Sequence, residues 1–160
     1  MEIRRAASHE HAVIGELTVA AYAGFTTGAD DFYIDHLRDA AARDRDAELW
    51  VAEDDGVVVG TVTIAPEGSP WRELGKPSEG EFRMLAVAPT ARGRGVGEAL
   101  ARHALARFVA AGHTRAVLCS LVEMETAHRI YQRLGFGRAP ELDWSPEAGV
   151  NLIAFAKELP

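Results

Sequence analysis

One cysteine and two lysines are all that this 160-residue chain carries of those residue types. Cys119 has no partner for a disulfide, so a scaffold stapled by bridges is excluded. Lys76 and Lys157 both lie outside the glycine-rich segment at 92–97, which removes the lysine that a Walker-type phosphate loop requires. Long apolar runs are missing as well. The longest, such as Val57-Val58-Val59 and Ala116-Val117-Leu118-Cys119, fall far short of the ~20 residues of a membrane span. Glu2, Arg4, Arg5, Ser8, His9 and Glu10 interrupt any secretory apolar stretch at the start, so the expectation is a cytoplasmic protein without a membrane partner. His9, His11, His36, His103, His113 and His128 show no metal-ligand spacing; surface or capping roles are expected, and no metal.

A basic field is also absent. With 17 Lys and Arg against 24 Asp and Glu the net charge is −7, which argues against a general nucleic-acid binder. The balance is uneven: residues 1–81 carry 7 basic and 17 acidic side chains, residues 82–160 carry 10 and 7. With 48% hydrophobic residues, a chain of this length can bury roughly 70% of its unfolded surface, and the expectation is one domain over residues 1–160.

The hydrophobic pattern alternates between periods. A short strand at Ile3–Ala6 leads to Ser8, a helix cap, and then to Val13, Ile14, Leu17 and Ala21 on one helical face. Gly24, Thr26, Thr27 and Gly28 end that helix, and Asp30 or Asp31 caps a second one with Ile34, Leu37 and Ala41 inward and Arg38 to Asp46 solvated. Strand-like runs flank Asp54-Asp55-Gly56, a hairpin signal. Pro66 to Gly80 reads as a mobile loop around Trp71. A strand over Glu81–Val87, a helix closed by Gly112, a buried strand over Ala116–Leu121, a helix over Glu125–Leu134 and a last strand over Val150–Ala156 complete the order. A short strand near Phe136 and a loop holding Pro140, Trp144 and Pro146 precede that last strand. The class is mixed α/β.

Between the strand at 81–87 and the next helix lies Pro89-Thr90-Ala91-Arg92-Gly93-Arg94-Gly95-Val96-Gly97. Glycines at alternate positions let backbone approach a ligand closely, and a helix N-terminus offers unpaired N–H donors to an anion. Arg92 and Arg94 add charge. A turn that uses glycine for geometry alone is the competing reading. The spacing is G-x-G-x-G and not the G-x-G-x-x-G of a dinucleotide fingerprint.

Leu85-x-Val87-x-Pro89-x-x-Arg92-Gly93-x-Gly95-x-Gly97, followed by Ala127-x-x-x-Tyr131-x-x-Leu134-Gly135-Phe136, resembles the GNAT superfamily of N-acetyltransferases, in order and in spacing. The resemblance implies a mostly antiparallel sheet with two splayed central parallel strands, flanked by helices. It implies acetyl-CoA as cosubstrate, with its diphosphate on the backbone amides of Arg92, Gly93, Arg94, Gly95, Val96 and Gly97. Its pantetheine arm would run between the strands, beside Leu85, Ala86 and Val87. The acceptor it implies is a small-molecule or peptide amine, and it leaves room for a homodimer. Many family members carry an asparagine seven positions before the tyrosine; this chain has Met124 there.

Acetyl transfer to an amine needs a deprotonated nucleophile, a polarised carbonyl and a proton for the departing thiolate. Tyr131 fits the last role by its motif position, although a tyrosine on the stripe Ala127, Ile130, Leu134 would also simply pack. Glu81 is the first carboxylate for the amine's proton. Alternation puts it on one sheet face with Arg83, Leu85 and Val87, so it either looks into the cleft or pairs with Arg83. Glu123 is held in reserve, and deprotonation through water would need neither. Tyr22, Phe25, Tyr33, Trp71 and Trp144 are candidates to line the acceptor pocket, while Cys119 reads as a small core residue. A CoA-binding sensor or subunit without catalysis is the alternative function; a nucleotide phosphotransferase is disfavoured by the missing Gly-Lys-Ser/Thr. The acidic first half suggests a cationic acceptor.

Overall fold

The computed structural model describes residues 1–26 and 33–160; the expected breaks at Thr27 and Gly28 and the caps at Asp30 or Asp31 lie outside them. The chain runs β1 (Glu2–Arg5), α1 (His11–Tyr22), α2 (Tyr33–Arg38), α3 (Ala40–Asp46), β2 (Glu48–Asp54), β3 (Val57–Ile64) and β4 (Glu79–Val87). It continues through α4 (Val96–Ala110), β5 (Arg115–Leu121), α5 (Glu125–Arg133), β6 (Gly137–Arg138), β7 (Trp144–Glu147) and β8 (Val150–Glu158). The strands are ordered β1-β2-β3-β4-β5-β8-β6, with β7 also on β8. Neighbours pair antiparallel except β4 with β5, which run parallel. This is the mixed, mostly antiparallel α/β architecture that the sequence implied.

Helices cover both faces, so most strands alternate between two apolar environments. On β2, Leu49 and Val51 pack with Ile14 and Ala40, while Trp50 and Ala52 pack with Leu100, Phe108 and Tyr131 on the opposite face. Each buried Leu or Phe contributes about 1.5–3 kcal/mol. The hairpin at Asp54-Asp55-Gly56 forms as expected, with positive φ at Asp55 (49°) and Gly56 (79°). At Gly80, a Cβ would sit 2.3 Å from the ring of Phe108, so β4 and α4 approach each other only because that position is bare.

Several local expectations are corrected. Glu10, and not Ser8, closes the start of the first helical segment: its carboxylate accepts the Ala7 N–H at 2.8 Å and is held by Arg4. The buried face of α1 is Ile14, Gly15, Thr18 and Tyr22, while Val13 is exposed. The second helix is two helices, because the Asp39 side chain accepts the Ala42 N–H at 3.1 Å and starts α3. Ala41 is therefore exposed, and Arg43, in the run expected to be solvated, is wholly buried. Its guanidinium donates to His36 O at 2.7 Å and Leu37 O at 3.0 Å, taking up carbonyls at the end of α2. Burial pulls that guanidinium down to about 10. The segment around Trp144 is a strand, β7, in a hairpin with β8.

The loop 66–78 is also pinned by hydrogen bonds. Arg72 donates to Ala65 O, Gly75 O, Lys76 O and Glu79 O at 2.7–3.1 Å. From the other side, the fully buried Glu81 carboxylate accepts the N–H groups of Glu73, Leu74 and Gly75 at 2.9, 2.8 and 2.7 Å.

Among the described residues, no helix is long and apolar enough to cross a membrane.

Candidate active site

The site begins with a defect in β4. Opposite β3 the register jumps between Thr61, which faces Ala86, and Thr63, which faces Arg83, so two residues of β4 oppose one of β3. Met84 takes φ 51°, a left-handed conformation that a non-glycine residue adopts at a cost. This β-bulge bends the strand. The parallel ladder with β5 consists of Glu79, Gly80 and Glu81 against Arg115, Ala116 and Val117, and stops before the bulge. From there the two strands part.

The bulge also overturns the expected alternation. Arg83 and Met84 fall on the same side, so Glu81 and Arg83 face the 66–78 loop, whereas Leu85 and Val87 pack on the α4 side and Met84 and Ala86 on the α1 side. Glu81 does not share a face with Leu85 and Val87.

Three spaces that share lining residues follow the split. Along one side runs a groove of about 500 Å³ between the 92–97 loop with the start of α4 and the first turns of α5. Leu85, Ala86, Val87, Arg92, Gly93, Gly95, Val96 and Gly97 all border it, as the sequence reading grouped them. Gly95 is the N-cap of α4 at φ 80°, with open space where a Cβ would project, so bare backbone faces the groove. No intrahelical acceptor precedes the N–H groups of Val96, Gly97 and Glu98, which leaves them for an anion. Arg92 and Arg129 border the groove. Arg94, expected to add charge there, does not: its guanidinium pairs with Asp54. These residues fit a diphosphate.

On the other side lies a cavity of about 520 Å³, bordered by Phe25, Tyr33, Trp71 and, among the described residues, four carboxylates (Asp39, Asp46, Glu73, Glu147) and two guanidiniums (Arg45, Arg83). Arg45 is paired with Asp46 at 2.8 Å and Arg83 with Glu73 at 2.9 Å.

Between the two lies a gap of about 40 Å³ in the split itself, room for roughly one or two waters or a group of similar size. Tyr131, Cys119, Glu73 and Arg83 border it, with Tyr22, Leu85 and Met124 shared with the groove and Tyr33 with the larger cavity. Tyr131 is packed against Phe82, Phe136 and Phe155, with ring centroids 5.8–6.0 Å apart. Burial pushes its phenol up, so it stays protonated. Packing and access to the gap thus coexist in one residue.

The other candidates divide. Tyr22, Phe25, Tyr33 and Trp71 border these spaces; Trp144 borders none of the three. Glu123 is exposed at the groove and not in the gap. Glu73, a glutamate inside a Pro/Gly-rich loop, carries no local signal in the sequence, and Arg83, a candidate partner for Glu81 by alternation, pairs with Glu73 instead. Cys119 is corrected from core residue to wall of the gap, where its thiol donates to Glu73 Oε1 at 3.4 Å; burial pushes it up, leaving it protonated. His128 is likewise not at the surface: it is buried, with Nε2 3.2 Å from Ser120 Oγ and 3.1 Å from Leu121 O, tying α5 to β5. Among the described residues, no group of three or more His, Cys, Asp or Glu side chains could hold a metal ion.

A glycine-lined helix start beside a pair of splayed parallel strands is the arrangement of an acyl-CoA N-acyltransferase fold. Residues 11–136 match the Acetyltransferase (GNAT) family, and the chain belongs to that family. It is similar to N-acetyltransferase 8 of Rattus norvegicus, 34% identical over 122 residues, which is 73% of this chain and 53% of that protein. To the mycothiol acetyltransferase of Cellulomonas flavigena it is 32% identical over 138 residues, 73% of this chain and 38% of that one. The chain therefore spans about half or less of these relatives' length. A GNAT family acetyltransferase from Brucella melitensis, solved in complex with acetyl-CoA, superposes with TM-score 0.59 at 26% identity, over 99% of this chain and 90% of that one. An acetyltransferase of the GNAT family from Staphylococcus aureus Mu50 superposes with TM-score 0.76 at 14% identity, with 99% of each chain covered.

Proposed function

We propose that this chain transfers an acetyl group from acetyl-CoA to a primary amine by direct attack, both substrates being bound at once. The observation that carries the reading is the row of groove, gap and cavity that share lining residues, with bare backbone donors at one end and acidic and aromatic side chains at the other. The N–H groups of the 92–97 loop would hold the diphosphate. The free edge of β4 at Leu85 and Val87 would pair with the pantetheine arm, and Met124, in the place of the asparagine seen in many relatives, would give it an apolar contact. Substrates held in this way react as if at high local concentration. Tyr131, protonated in the gap, would give its proton to the departing thiolate.

The test is thiol release from acetyl-CoA with a panel of primary amines, run on the wild type and on Tyr131→Phe. The variant should keep its KM values and lose kcat by about 100-fold, the contribution of one positioned proton donor. A fully active Tyr131→Phe would return the tyrosine to packing. No turnover above hydrolysis with any amine would favour the CoA-binding sensor.

The acceptor is a cationic amine, drawn in by the carboxylates around the larger cavity. For such amines kcat/KM should fall as salt is raised from 0.01 to 0.5 M, while a neutral amine such as aniline should show little change. Equal salt responses would reduce the charge asymmetry to a matter of solubility.

A further inference from the structure

An amine that arrives protonated must lose a proton before it can attack, and the gap where it would do so has one described carboxylate. Glu73 borders both the gap and the larger cavity. We propose that Glu73 is the catalytic base that takes the proton from the incoming ammonium. The proposal rests on the transferase reading and adds a residue to it.

The side chain is held from three directions although it sits on a loop. Its backbone N–H is fixed by Glu81 at 2.9 Å, Arg83 Nε pairs with Oε1 at 2.9 Å, and the Cys119 thiol donates to the same oxygen. Both side-chain contacts described fall on Oε1, so Oε2 is the atom assigned to the ammonium. Arg83 is itself anchored on Trp71 O at 3.0 Å, and its guanidinium lies 5.8 Å from the centroid of the Trp71 ring. The carboxylate is therefore prepositioned, as a proton acceptor has to be. Burial outweighs Arg83 and lifts the Glu73 carboxyl above its ordinary range, which brings it closer to the strength of a useful base.

The other titratable groups that border the gap are of the wrong type, while His36, Asp39, Asp46 and Glu147 border the larger cavity and not the gap. The phenols of Tyr22, Tyr33 and Tyr131 are pushed up by burial and stay protonated, as does the Cys119 thiol. Arg83 is a cation. Glu81, below the loop, spends its oxygens on three backbone N–H groups.

The step balances as follows. The ammonium gives one proton to Glu73 Oε2, and the nitrogen lone pair so released forms the C–N bond at the thioester carbonyl carbon. The C–S bond breaks and its electron pair stays on sulfur, which takes the proton of Tyr131. The tyrosine recovers a proton from the new amide nitrogen, and Glu73 releases its own to water. The products are an N-acetyl amine, CoA thiol and one proton.

Glu73→Gln is the test, because glutamine keeps the size of the side chain and an oxygen for Arg83. With the best amine of the panel, kcat/KM of the variant at pH 7 should fall at least 100-fold, and its rise with pH should shift from the Glu73 limb up to the pKa of the amine itself, since only amine already deprotonated in solution then reacts. Affinity for CoA by calorimetry and the melting temperature should match the wild type. A variant that keeps kcat/KM and the wild-type pH limb overturns the proposal and leaves the transferase reading intact. A wild type that binds acetyl-CoA but turns over no amine overturns that reading and, with it, this assignment.

Discussion

Gly95→Glu is expected to abolish CoA binding while leaving the protein folded. The residue caps α4 at φ 80° with nothing near the position of a Cβ, so the new side chain has space and meets only backbone strain, about 1–2 kcal/mol for an L-residue in the left-handed region. A carboxylate at a helix N-terminus offsets part of that strain through the helix dipole. The same carboxylate would stand where the diphosphate is proposed to lie. Two negative charges about 4 Å apart repel by roughly 4 kcal/mol at the dielectric of a partly exposed site, on the order of a 1,000-fold loss of affinity. Gly95→Ala carries the strain without the charge and should weaken binding by less than about 10-fold. Calorimetric titration with CoA separates the two variants, and unchanged affinity in Gly95→Glu would reduce the loop to a strand–helix turn.

Glu81→Ala should cost stability before anything else. Its carboxylate is fully buried and accepts three backbone N–H groups, and hydrogen bonds to a charged group contribute about 1.5–3 kcal/mol each when one partner is removed. The loop would reach water in part, so a net loss of about 3–5 kcal/mol is expected, a drop in Tm of roughly 10 °C for a chain of this size. Cleavage within residues 66–78 by a nonspecific protease should rise in parallel. Glu81→Gln should not restore the wild type, since its NH₂ group would meet an N–H donor. If Tm stayed unchanged and only kcat fell, Glu81 would regain the role of base that the sequence suggested for it.

These two residues differ in how far the sequence could speak for them. Gly95 was legible because its signal is local: glycines at alternate positions between an apolar strand and an amphipathic helix have few uses, and the helix N-terminus supplies the rest. Tyr131 was legible through the second motif and helical spacing. For Glu81 the sequence marks the residue but not its partners. Strict alternation put it on one face with Leu85 and Val87, and a single left-handed residue at Met84 broke that alternation. No feature of Arg83-Met84-Leu85 announces the bulge, because its cause is the pairing with β3. The charged run around Arg43 predicts a solvated side chain, but α2 ends above it with carbonyls to satisfy.

From the residues alone came the family, most of the order of elements, and a candidate cofactor loop and tyrosine, each resting on residues within a few positions of one another. The tertiary structure alone decided what faces what: that β4 and β5 part after three residue pairs, that the supposedly mobile loop is pinned, and that Glu73, Arg83 and Cys119 meet at the gap. Those three residues come from a loop and two strands spread over residues 73–119. Their meeting depends on the register of the sheet, and register is set by long-range pairing that no local pattern encodes.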